Sequence, residues 1–85
     1  MNDDIKTQKV DMWSKKLIQL EKELKEIYLR KGEAARDGDL SENAAYKAAI
    51  EDAETWQARI EDIKKILRAL GEDPERILSE KGGNK

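Results

Sequence analysis

The chain has 85 residues, with 17 basic and 19 acidic side chains, a formal net charge of −2 and neither cysteine nor histidine. Those absences exclude disulfides, thiolate chemistry, the usual zinc ligands and a histidine base, so any bound metal must be a hard, oxygen-preferring ion such as magnesium. Charged residues reach 42% with the signs interspersed, so no polybasic arm is set aside for duplex nucleic acid, and no apolar run approaches the roughly 18 to 20 residues of a membrane span, which predicts a cytoplasmic protein.

In the first half, Trp13, Leu17, Leu20, Leu24 and Ile27 recur in steps of four and three, and the series continues through Lys31 to Ala34. That is a heptad seam, the mark of a helix that must bury one stripe against another helix. Around the middle of the chain, Gly38 can end this helix in a left-handed conformation, and Asp39 or Ser41 can cap the next. Tyr46, Ala49, Ala53, Trp56, Ile60, Ile63, Leu67 and Leu70 then form a second seam.

The two seams mirror each other. Trp13 opposes Leu70, Leu17 opposes Leu67, Leu20 opposes Ile63, Leu24 opposes Ile60 and Ile27 opposes Trp56, about a point near residues 41 to 42. Such symmetry predicts an antiparallel hairpin with arms of about 30 residues, or ~45 Å. Toward the turn Lys31 faces Ala53 and Ala34 faces Ala49, so the seam loses bulk and the helices can approach closely. Both tryptophans belong to this core rather than to a base-stacking platform. Glu21 with Lys25, and Glu61 with Lys65, are spaced to pair along the outer faces, at ~0.2 to 0.5 kcal/mol each.

Gly71 stops the second helix. Asp73-Pro74-Glu75 reads as a cap with proline in the first turn, predicting a short helix from Pro74 to about Glu80 before the glycine-rich end frays. Ile77 and Leu78 are placed to fold back against the open end of the hairpin. The expected fold class is therefore all-α: a long antiparallel helical hairpin, or coiled coil, over 1–70 with its tip at 37–43, then a short helix and flexible tail over 71–85.

The tip carries the chemistry. Gly38-Asp39-Leu40-Ser41-Glu42-Asn43-Ala44-Ala45-Tyr46 resembles the Gly-Asp-Leu-x-Glu-Asn-Ala-x-Tyr signature of the bacterial Gre transcription elongation and transcript-cleavage factors. The likeness extends through Ala35-Arg36 before it and Arg59-Ile60-Glu61-Asp62-Ile63 after it, over roughly residues 10 to 70; the spacing from Arg36 to Gly38 is one residue shorter than in the family. The resemblance implies a coiled-coil arm that enters the secondary channel of RNA polymerase and promotes cleavage of the backtracked RNA 3' end. Asp39 and Glu42 match the acidic pair that shares a second magnesium with the polymerase active centre and positions the attacking water. Ser41, Asn43 and Tyr46 match neighbouring tip positions that orient the tip or touch polymerase and RNA. Lys31, Arg36 and Lys47 would guide RNA phosphates, as Gre basic patches do, although exposed cations on helices are also commonly just solvated. Two carboxylates do not complete a site, so the chain is expected to be an accessory factor rather than an enzyme, with no tightly bound cofactor of its own.

Other readings stand beside this one. Asp39 and Glu42, three apart, also make a capping-box variant. Gre factors continue into an FKBP-like docking domain, and this chain ends where that domain would begin; Met1 and the tail after Gly71 favour a natural stand-alone arm. Such an arm should bind polymerase weakly unless it forms a homo-oligomer or its tail makes a substitute contact. It could also act as a Gre mimic that inhibits or modulates polymerase. A structural adaptor whose hairpins pair into a four-helix bundle explains the seams equally well, but not the tip.

Overall fold

A computed structural model of the protein describes residues 2–37 and 43–81, and side chains within 4–37 and 43–80. Among the described residues the regular structure is all α-helix: α1 spans Asn2–Arg36, α2 spans Ala44–Ala69 and α3 spans Pro74–Lys81. The molecule is a rod with principal extents of 57 × 25 × 14 Å. α1 and α2 run antiparallel along it.

The seams meet as the heptad pattern predicts. Leu17, Leu20, Leu24, Ile27 and Ala34 of α1 are buried, as are Ala49, Ala53, Ile60, Ile63 and Leu67 of α2. Contacts between the arms hold the expected register: Trp56 Nε1 donates to Glu23 Oε1 at 2.8 Å, Gln57 donates to the Tyr28 hydroxyl, and Arg30 pairs with Asp52 at 3.6 Å. Trp13 and Trp56 pack at the margin of the core, only partly buried. For Trp56 the reason is its indole N–H, which needs a polar partner and finds one by keeping its edge at the seam's rim. The Arg59 guanidinium covers the same ring at 4.8 Å from its centroid. Hydrogen bonds from Gln19 and then from Trp56 hold the Glu23 carboxyl below its ordinary pKa.

The outer-face ion pairs differ from those expected. Among the described residues neither Glu21–Lys25 nor Glu61–Lys65 forms; Asp11–Lys15, Glu61–Lys64 and Arg76–Glu80 do. Lys64 lies beside α3 with 13% of its side chain exposed, and meets Glu75 at 2.9 Å and Glu61 at 3.9 Å. A three-residue spacing thereby replaces the four-residue one because a second carboxylate, Glu75, draws Lys64 to this side of α2.

The arms are also unequal, at 35 and 26 residues, so α1 runs past the end of α2. α2 closes in a Schellman turn: Glu72 N–H donates to Leu67 O and Gly71 N–H to Arg68 O, both at 2.9 Å, with Gly71 at φ 87°. That left-handed φ is what glycine supplies without steric cost. Asp73 Oδ1 accepts from Glu75 N–H at 3.0 Å to start α3. Pro74 and Ile77 are buried, and Leu78 packs against the core beside them. α3 thus braces the open end as expected; the predicted fraying of 82–85 lies outside the described residues. No described helix is long and apolar enough to cross a membrane.

Candidate functional site at the hairpin tip

The last carbonyls of α1 find no partner within the helix itself, as at every helix end. One of them, Ala34 O, accepts from Asp37 N–H at 3.1 Å and from Asn43 Nδ2 at 2.6 Å. Asn43 is also the N-cap of α2, with extended backbone (φ −86°, ψ 98°), and its Oδ1 accepts from Tyr46 N–H at 3.0 Å. One amide therefore satisfies an orphan acceptor of α1 and an orphan donor of α2, tying together both ends of the segment 38–42.

This corrects the expected capping. The sequence offers Asp39 or Ser41 as the cap, with Asp39 and Glu42 as a capping box; α2 instead starts at Ala44, and Asn43 caps it. The physical reason is reach. A side chain caps only the first turn immediately after it, and Asp39 and Ser41 stand too far upstream of Ala44. The sequence signal for this cap is an asparagine directly before the helix-forming Ala44-Ala45.

Asp39, Ser41 and Glu42 themselves lie outside the described residues. Of the other candidates, Lys31 and Tyr46 are brought together, the ammonium 5.9 Å from the ring centroid. Both are partly buried, so the lysine stem closes the seam while its charge rests on the aromatic face. Arg36 and Lys47 are exposed, at the last turn of α1 and the first of α2. Beneath the tip, buried Ala34 and Ala49 allow the helices to approach closely. A groove of about 290 Å³ beside them is lined by Arg30, Glu33, Ala34, Asp37, Ala45 and Ala48. The Arg30–Asp52 link across the arms has no sequence signal, because it depends on two outer-face side chains turning toward the same edge. Among the described residues no cluster of acidic side chains could hold a metal ion.

The fold defines a class of protein: a narrow antiparallel helical hairpin whose two arms are tied together by Asn43 near the point of reversal. Comparison with known proteins makes the assignment specific. The family "Transcription elongation factor, N-terminal", that of GreA and GreB, matches residues 7–70, and the chain belongs to this family. It is 45% identical over 60 residues to the transcription elongation factor GreA of Lachnoclostridium phytofermentans, covering 61% of this chain and 38% of that protein. It is 40% identical over 58 residues to the GreA of Prosthecochloris aestuarii, covering 67% of this chain and 36% of that protein. The chain thus spans somewhat over a third of the length of the curated relatives it matches. No solved structure matches it.

Proposed function

We propose that the chain is a Gre-type arm that enters the secondary channel of RNA polymerase and promotes cleavage of backtracked RNA. The observation that carries this reading is family membership over 7–70, with the segment from Gly38 to Asn43 falling at the reversal between α1 and α2. A rod can deliver a loop to a buried active centre where a globular protein of the same mass cannot. Asp39 and Glu42 are the catalytic candidates: hard carboxylate oxygens suited to a magnesium ion shared with the polymerase. Because Asn43 caps α2, neither acid is needed for that task. Ser41 lies between them in sequence, Asn43 and Tyr46 stand where α2 begins, and the Lys31 ammonium faces the Tyr46 ring. Arg36 and Lys47 are left to meet the phosphates of the RNA 3' end.

The test is transcript cleavage on backtracked elongation complexes. Magnesium-dependent shortening of the RNA with the wild-type chain, lost in Asp39→Asn/Glu42→Gln, is the expected result. Competition against a full-length cleavage factor without any shortening would replace the cleavage role with that of an inhibitory mimic. Neither shortening nor competition would remove the channel from the account and leave a structural adaptor.

A further inference from the structure

α3 is held to the hairpin by few groups. It has eight residues, too short a helix to persist away from the surface it packs on. Of its described side chains only Pro74 and Ile77 are buried, with Leu78 partly buried beside them, and one ion pair, Glu75 with Lys64, links it to α2. Among the described residues no backbone hydrogen bond joins α3 to either arm. Glu72 N–H turns back to Leu67 O, while the Asp73 carbonyl and carboxylate turn forward to Ile77 N–H and Glu75 N–H. The bonding of the two helices therefore divides between Glu72 and Asp73, which belong to no helix.

Between α3 and α1 the packing is incomplete. A cleft of about 370 Å³ is lined there by Val10 and Ser14 of α1, by Asp73 of the turn, and by Arg76 and Ile77 of α3. Ser14 is 2% exposed and is the one polar side chain buried among the described residues. Its hydroxyl has no hydrogen-bond partner. A hydroxyl shut in without a partner favours any state that admits water to it.

We infer that α3 is a strap that swings about the Glu72–Asp73 joint, between a closed position over Ser14 and an open one in which water reaches the hydroxyl, while the seam of α1 and α2 stays shut. Opening gives up the burial of Pro74, Ile77 and Leu78 and the Lys64–Glu75 pair, and gains the hydration of Ser14. The Schellman turn is untouched, because its bonds run to Leu67 and Arg68. The end of the rod opposite the tip thereby has two states, with its apolar patch covered in one and bare in the other. The strap is independent of the polymerase reading, since both states keep the seam and the Asn43 tie intact.

The experiment is amide hydrogen exchange of the full chain at low urea, resolved by NMR. The Ile77 and Leu78 amides should exchange faster than those of Leu24 and Ile60 and depend less on urea, because opening the strap bares far less surface than unfolding does. Ser14→Ala should slow exchange in α3 by roughly tenfold, the effect of removing one unpaired buried hydroxyl. The better helix propensity of alanine does not produce that slowing, since α1 is helical in both states and propensity acts only on unfolding. Glu75→Gln should speed α3 exchange by roughly twofold. Ile77 and Leu78 exchanging at the rates of Leu24 and Ile60, with the same urea dependence, overturns the strap, because α3 then opens only when the hairpin unfolds. Unchanged α3 exchange in Ser14→Ala overturns it as well. So does a wild-type α3 without any protection, which has no closed state.

Discussion

Asn43 shows how much one side chain can decide. Its amide gives one atom to each helix, so its removal uncaps α2 and leaves Ala34 O with one partner fewer. Asn43→Ala should cost about 1 to 2 kcal/mol in urea unfolding. Asn43→Asp separates the two tasks, because a carboxylate can still accept from Tyr46 N–H but has no donor for Ala34 O. Asn43→Asp should therefore cost less than alanine in stability. Equal stability of wild type and Asn43→Ala would show that the tie contributes nothing. The residue identity was readable from the sequence; its double attachment was not, because Ala34 lies nine positions away and meets it only once the chain has reversed.

At the level of elements, the seam supplies the cohesion and the caps supply the boundaries. Leu17 and Leu67 are both fully buried at opposing positions, and Leu67→Ala should cost about 2 to 5 kcal/mol, since apolar contact is lost and the rod collapses poorly around the gap. In a hairpin this thin, such a loss approaches the whole stability. Gly71 is held at φ 87°, so Gly71→Ala should cost about 1 to 2 kcal/mol through backbone strain alone. Its new methyl would meet only Lys6 Nζ, at an ordinary 3.6 Å. Both values are read from chemical melts with unchanged helical circular dichroism at low denaturant. Heptad steps and glycine stops are local signals, which is why these elements were legible in advance. Ion pairs were less so: long charged side chains on a helix have several partners within reach, and Lys64 took Glu75 from an element that packs beside it only in the folded state.

For the whole molecule, α1 sets the length and α3 braces the open end. α1 outruns α2, and α3 fills the resulting step with Pro74, Ile77 and Leu78. The Glu75 hydrogen bond to Lys64 is the main cause that raises the lysine above its ordinary pKa of 10.5. A raised lysine stabilises the fold fully below its unfolded value and loses that contribution as pH climbs through the folded one. α3 should thus loosen above about pH 10.5, seen as a shift of the Ile77 methyl resonance, and Glu75→Gln should remove that step and leave the methyl unshifted across the same range. A shift of equal size in Glu75→Gln would place the titration elsewhere.

The two seams, their antiparallel register, the place of the reversal, the stop at Gly71 and the motif that marks the family are all written in the order of residues along the chain. These follow from spacing and from single-residue conformational preferences, which need no knowledge of what lies across the fold. Tertiary structure alone decided the rest: Asn43 as the tie between the helix ends, Trp56 drawn to the rim by its indole N–H, Arg30 joined to Asp52, Lys64 captured by α3, and the Ser14 hydroxyl left without a partner. Each of these depends on which groups remain unsatisfied once the arms have closed, and that balance exists only in three dimensions.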